Sequence, residues 1–125
     1  MKFKQVFIIN SDLIKDMGIG KIAGQVAHGE SFYMSHILDV YAVRGDIDSY
    51  YKWRYEDNEL MTKIVKKANE KEMNIIYELL NGNIWVHKVI DRGITQIEAN
   101  SLTCIVVEPL PEERCVKLFG HLKLL

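Results

Sequence analysis

The sequence predicts an α/β protein, a three-layer α/β/α sandwich around a mixed β-sheet. Three observations lead to that class. Short apolar runs alternate along the chain with segments of helical periodicity. The last two of those runs are joined by roughly ten residues without a helical pattern, a length that permits an antiparallel pair. Of the 125 residues, 48% are hydrophobic, which suffices for one core in a single domain spanning residues 1–125.

Residues 6–9, with Phe3 ahead of them, form an apolar run that fits a buried central strand. Asn10-Ser11-Asp12 opens a polar, glycine-bearing loop. The first helix is predicted from about Lys21 towards Tyr41. Gly24 and Gly29 each weaken it by roughly 1 kcal/mol relative to alanine, and glycines so placed mark close packing against another element or a ligand. In residues 44–58, Asp46 and Asp48 mix with Tyr50, Tyr51, Trp53 and Tyr55. A short helix capped by one of the two aspartates is expected there, its aromatics forming a lid over the core. Residues 60–66 read as a strand near a sheet edge. Asn69 is a good N-cap for the next helix, with Glu70 and Glu72 in the first turn and Met73, Ile76, Tyr77 and Leu80 as its apolar stripe. Asn81-Gly82-Asn83 closes that helix. A strand over residues 84–90 leads into the turn Asp91-Arg92-Gly93, and a further apolar run over 102–107 ends at Pro109 and Pro111. Pro111-Glu112-Glu113 suits the first turn of a last helix, which Gly120 ends. Residues 121–125 are expected to be an apolar tail with Lys123 exposed.

Composition narrows the function classes. A formal net charge of -1 gives no whole-chain electrostatic case for nucleic-acid binding, so any such contact rests on a local patch. Cys104 and Cys115 form neither a metal motif nor a disulfide framework and read as free core thiols. No stretch is long and apolar enough to cross a membrane, and Met-Lys-Phe-Lys leads straight into a strand without the pattern of a signal peptide. A cytoplasmic protein is expected.

Two segments carry chemistry. In Met17-Gly18-Ile19-Gly20-Lys21-Ile22-Ala23-Gly24-Gln25-Val26-Ala27-His28 a glycine-rich turn runs into a helix with a lysine at the junction. A helix N-terminus offers unpaired N–H groups and partial positive charge; a lysine there opposes the dipole and suits a phosphate or an oxyanion. Helical spacing places Lys21, Gln25 and His28 on one face and Ile22, Ala23, Val26 and Ala27 on the other, as core. The same polar stripe also describes the solvated side of an ordinary amphipathic helix, and the Walker spacing of a P-loop is missing. In the second segment, residues 89–97, Asp91 has the chemistry of a general base or of a partner that orients a lysine. Thr95 and Thr103 offer hydroxyls for a water or a substrate oxygen, although an Asp before Gly with a Thr nearby is also a common turn. Ligands in such sheets collect at the carboxyl ends of strands, which brings Lys21 and Asp91 within reach of one another.

The pattern of Asp12-Leu13, the glycine-rich segment 17–28, Asp91-x-Gly93-x-Thr95-Gln96-Ile97 and Gly120-His121-Leu122-Lys123-Leu124-Leu125 resembles the archaeal and eukaryotic (type II) peptidyl-tRNA hydrolases over nearly the whole chain. The resemblance implies an α/β/α fold with a mixed four-stranded sheet, usually dimeric, and cleavage of the ester between a stalled peptide and the 3′-terminal ribose of tRNA, a step of translation that uses no metal or other cofactor. It places the essential lysine at Lys21, the aspartate at Asp91 and the functional threonines at Thr95 and Thr103. Gly18, Gly20, Gln25, His28, Arg92 and Gln96 become the expected substrate-binding residues. Four positions depart from the pattern. Ile19 stands where a lysine is common, Asn10 where an arginine is usual, Arg92 where alanine is usual, and Glu98-Ala99-Asn100-Ser101 replaces a Pro-Pro-Gly-Thr-like turn, in which Asn100 can adopt φ > 0. The first two remove positive charge, so weaker tRNA affinity with a shallower salt dependence is expected. Lys21, Asp91, Thr95 and Thr103 favour an enzyme. Ile19 and Asn10 favour a family-like module that binds tRNA or a protein without efficient turnover. A hydrolase for another small ester or amide is a third reading.

Overall fold

Strand β1 (Phe3–Asn10) occupies the centre of the sheet because it is apolar on both faces. The computed structural model describes residues 2–44, 47–93 and 97–125. Helices α1 (Ile14–Arg44) and α2 (Asp48–Tyr55) follow β1, then β2 (Lys63–Ala68), α3 (Glu70–Leu80), β3 (Val86–Asp91), β4 (Ser101–Val107), β5 (Leu110–Pro111), α4 (Glu112–Phe119) and β6 (Lys123–Leu124). The strands make one mixed open sheet in the order β3-β4-β1-β2-β6, with β5 beside β1. β1 and β2 run parallel because two helices carry the chain back across the sheet. The other pairings are antiparallel. No described helix is long and apolar enough to cross a membrane.

Alternation along β1 divides the core in two. Val6 and Ile8 join Met73, Ile76 and Leu80 of α3 and Cys115 and Phe119 of α4. Phe3, Phe7 and Ile9 join Met17, Ile22, Tyr33 and Ile37 of α1 and Trp53 of α2. Both cysteines are buried and free, as expected, and burial pushes the Cys104 thiol up to about 12.

Several expectations are corrected. The four strands foreseen become six among the described residues, because residues 110–111 and 123–124 add two-residue strands too short to show a period. The tail is therefore a strand on the outer side of β2, held by the Leu125 N–H donating to the Val65 carbonyl at 3.0 Å. β2 begins at Lys63, not 60; it lies near the sheet edge, as expected, with only the two-residue β6 outside it. The first helix starts at Ile14, ahead of the glycines, and only Gly18 leaves the helical path, at φ 73° and ψ 169°. At α2 the N-cap is Ile47, which makes no side-chain capping bond; Asp48 lies inside the first turn, paired with Lys52 at 3.0 Å, and Asp46 lies outside the described residues. The aromatic lid is half present. Trp53 is buried and its indole donates to the Thr62 carbonyl at 2.9 Å, whereas Tyr51 and Tyr55 are exposed. Asn69 caps α3 with a full capping box: its side chain accepts from the Glu72 N–H at 2.9 Å while the Glu72 carboxylate reaches back to the Asn69 N–H at 3.3 Å.

One buried polar pair has a pH consequence. Gln5 of β1 is fully buried on the α1 side, and neither its amide nor the Glu30 carboxylate of α1 completes a hydrogen bond among the described residues. Burial raises the Glu30 pKa; the nearby Gln5 amide and Lys63, whose Nζ stands 3.8 Å away, only partly offset this. Between the ordinary carboxylate value and the raised one the folded state binds more protons than the unfolded state. Stability therefore falls as pH rises through that window, and the loss persists above it. Glu30→Gln is expected to melt at a higher temperature than the parent at neutral pH, with the difference vanishing near about pH 4 where Glu30 is itself protonated. Paired melting curves at the two pH values check this.

Candidate active site

Two backbone features bring the chemistry together. The break at Gly18 swings the following turn of α1 over the carboxyl end of β3, whose last residue is Asp91. Lys21 Nζ then stands 3.1 Å from Asp91 Oδ1, with side-chain exposures of 8% and 12%. Such a pair is largely shielded from salt. An ammonium has three donors, so contact with one carboxylate leaves capacity for an oxyanion. The turn after β3 holds Asp91 from the other side. The Gly93 N–H donates to Asp91 Oδ2 at 3.3 Å, and the Asn100 N–H donates to the Asp91 carbonyl at 2.6 Å. Gly93 has φ 84° and Asn100 φ 64°, the left-handed conformation expected of Asn100.

The face of α1 that meets the sheet is only in part the one its periodicity suggests: Ile22 is buried and Val26 packs against the core, as expected. Ala23 and Ala27 are exposed, whereas Gln25 is only 5% exposed and Gly29 is buried. Gly29 needs its hydrogen because a Cβ there would stand 3.1 Å from Val106 Cβ and 3.4 Å from the Phe7 ring; Gly24 faces open space. Gln25 tolerates burial because a hydroxyl waits for it. Thr103 is fully buried, and its Oγ1 donates to Gln25 Oε1 at 2.6 Å, with the Val89 carbonyl as a second acceptor at 3.1 Å. A β-bulge makes this contact. Val89 pairs with Cys104 but Ile90 pairs with Leu102, so Thr103 is the extra residue. Leu102 thus belongs to the α3 side and Cys104 to the α1 side, and Thr103 joins Cys104 in facing α1.

The sequence matches the family profile described as "Peptidyl-tRNA hydrolase PTH2" over residues 3–125. The chain belongs to this family. It is 38% identical to a peptidyl-tRNA hydrolase of Sulfurisphaera tokodaii, a match covering 100% of both chains. Against the peptidyl-tRNA hydrolase of Thermoplasma acidophilum the identity is 35%, over 98% of this chain and 97% of the other. The counterpart in Thermococcus onnurineus is 34% identical, with 98% of each chain covered.

The remaining candidate residues of this family member fall in three groups. Gly18 and Gly20 leave open space where a Cβ would stand, so the left-handed backbone of Gly18 is what calls for glycine there. His28 and Arg92 are exposed and line one cavity with Phe32 and His87, two rings that sequence reading did not single out. The only local signal for His87 was the alternation of β3, which puts it on the same face as Asp91. Thr95 and Gln96 lie outside the described residues. Of the departing positions, Ile19 is 89% exposed beside the lysine. Asn10 is 1% exposed; it donates to the Leu102 carbonyl at 2.9 Å and accepts from the Asp12 N–H at 2.9 Å, so it joins β1 to β4 and shapes the first loop.

Proposed function

We propose that this chain hydrolyses the ester between a peptide and the 3′-terminal ribose of tRNA, with Lys21 and Asp91 as its catalytic pair. The observation that carries the reading is the shielded 3.1 Å contact between the two residues that stand at the family's motif positions. Asp91 orients a water and takes its proton as the oxygen attacks the ester carbonyl. Lys21, with the dipole of the helix that restarts after Gly18, holds the oxyanion. Collapse breaks the bond to the ribose oxygen, which regains a proton, leaving a free peptide carboxyl and a tRNA hydroxyl. The lysine supplies the positive charge, and we assign no metal or cofactor to the reaction. Thr95 fixes the water or the ribose end, while Gly18, Gly20, His28, Arg92 and Gln96 contact the substrate.

Thr103 acts through Gln25, since its own hydroxyl is fully buried and already directed at that amide. Thr103→Val keeps the shape but leaves a buried acceptor without its donor, worth about 1–3 kcal/mol of stability. Turnover is expected to fall with it, and Thr103→Ser, which keeps the hydroxyl, to restore most of the turnover. Steady-state kinetics of the two variants, with melting curves alongside, separate positioning from simple destabilisation.

The reading extends to a cytoplasmic role in translation, tRNA binding, one domain over residues 1–125 and a homodimer. Cores on both faces of β1 support a three-layer α/β/α sandwich whose four longer strands are its frame. The test is release of a labelled N-acylated aminoacyl group from tRNA by the purified protein. Release that depends on Asp91 supports the enzyme. Retention of tRNA without release favours the binding module.

A further inference from the structure

Helix α1 and strand β3 run alongside each other in opposite directions, and their facing residues form one row. Lys21 meets Asp91, Phe32 meets His87 with ring centroids 4.3 Å apart, and His36 stacks on Trp85 at 5.0 Å and 22°. Trp85 and His87 are themselves stacked, at 5.9 Å and 8°. Four rings, Phe32, His87, Trp85 and His36, thus lead along β3 towards the catalytic pair. β3 stands at the end of the sheet, so this row runs along an edge. Phe32 is 46% exposed. Between the rings and Asp91 lies a cavity of about 440 Å³ lined by His28, Phe32, His87, Lys88, Val89 and Arg92, with no carboxylate among its lining residues. That volume falls in the range of small-ligand sites. Burial also lowers the His87 pKa, which keeps the ring neutral at physiological pH and suited to stacking.

We infer that this groove holds the unpaired 3′ strand of the tRNA substrate, with a base upstream of the terminal nucleotide stacked on Phe32 and His87. The inference rests on the proposed function for its occupant. Its geometry is that of a single-strand binding surface, in which aromatic rings take bases of any sequence and nearby cations follow the backbone. Same-face residues on a strand are ~6.6 Å apart, so His87 lies ~13 Å from Asp91. That separation matches a base one or two nucleotides before the reacting ribose. Arg92 borders the same cavity and supplies the cation for the connecting phosphates, whereas the Lys88 ammonium is turned to the other face of the sheet, 4.5 Å from the centre of the Tyr77 ring. The groove places the RNA on the β3 side of α1. Ile19 lies instead beside the apolar groove of Ile14, Val26 and Val65 on the β2 side, away from this path.

The test uses binding, so it does not depend on turnover. A short single-stranded RNA ending in CCA is titrated into the intact protein while tryptophan fluorescence is followed, since Trp85 stacks on His87. Saturable quenching is expected, and Phe32→Ala should weaken it by about 5- to 100-fold, with Phe32→Trp retaining it. Exposure of Phe32 makes the alanine variant tolerable to the fold, and a melting curve verifies that. Equal affinity in the wild type and Phe32→Ala, or no quenching in the wild type, overturns the inference. Hydrolysis assays separate this outcome from failure of the enzymatic reading. With N-acyl-aminoacyl esters, Phe32→Ala should raise KM on a CCA trinucleotide and leave it unchanged on adenosine alone. An equal rise on both would assign the groove to the peptide or the terminal nucleoside and contradict the inference.

Discussion

Lys21→Ala is expected to lower the turnover of peptidyl-tRNA by about 10²–10³-fold, the usual loss when one preorganised oxyanion donor is removed. Lys21 is 8% exposed, so no bulk water takes over the ammonium's place at low energetic cost. The variant also leaves the Asp91 carboxylate, 12% exposed, without this cation. The loss should fall on kcat more than on KM, because an oxyanion exists only along the reaction path. Lys21→Arg is expected to rescue little. A planar guanidinium is bulkier than an ammonium, and the 3.1 Å contact fits the smaller group. Single-turnover kinetics with saturating enzyme measure the effect, and a melting curve confirms that the variant is folded.

Gly93→Ala should damage both stability and activity. At φ 84° any L side chain is strained, typically by about 1–2 kcal/mol. Here an added Cβ would also overlap the backbone of Ala99, which no rotamer change relieves. The turn must open. In doing so it gives up the Gly93 N–H on the Asp91 carboxylate and the Asn100 N–H on the Asp91 carbonyl. A stability loss of about 2 kcal/mol or more and at least a tenfold fall in turnover are expected together. Gly82→Ala is the control. It has a comparable φ of 93° but open space around the new Cβ, so it should lose only the conformational part and leave turnover unchanged. Melting curves and rates for the two variants separate strain from displacement of Asp91.

How much of this was legible in the sequence depends on the range of the interaction. The central strand and the Asn69 capping box rest on neighbouring residues, and both could be read directly. The approach of Lys21 to Asp91 was legible because α/β topology gathers loops at the carboxyl ends of strands. The inward face of α1 was legible only at Ile22 and Val26. Burial of Gln25 depends on a hydroxyl 78 positions away, turned towards it by a bulge that leaves no mark on hydrophobic periodicity. The early start of α1 was hidden by Gly18 and Gly20, which read as loop although only Gly18 leaves the helical path. The strands at 110–111 and 123–124 exist through pairing with β1 and β2, and two residues carry no pattern of their own. Asn10, read as a lost cation, does structural work between two strands that no local signal announces.

The central claim is that Lys21 and Asp91 act as one unit in cleaving the ester. A double-mutant cycle tests it most directly, with single-turnover hydrolysis of peptidyl-tRNA measured for wild type, Lys21→Ala, Asp91→Ala and the double variant. Residues that act as a unit give strongly non-additive losses. The double variant should therefore be about as slow as the slower single variant. Losses that multiply across the cycle, or an Asp91→Ala enzyme that retains near-normal rates, would contradict the account.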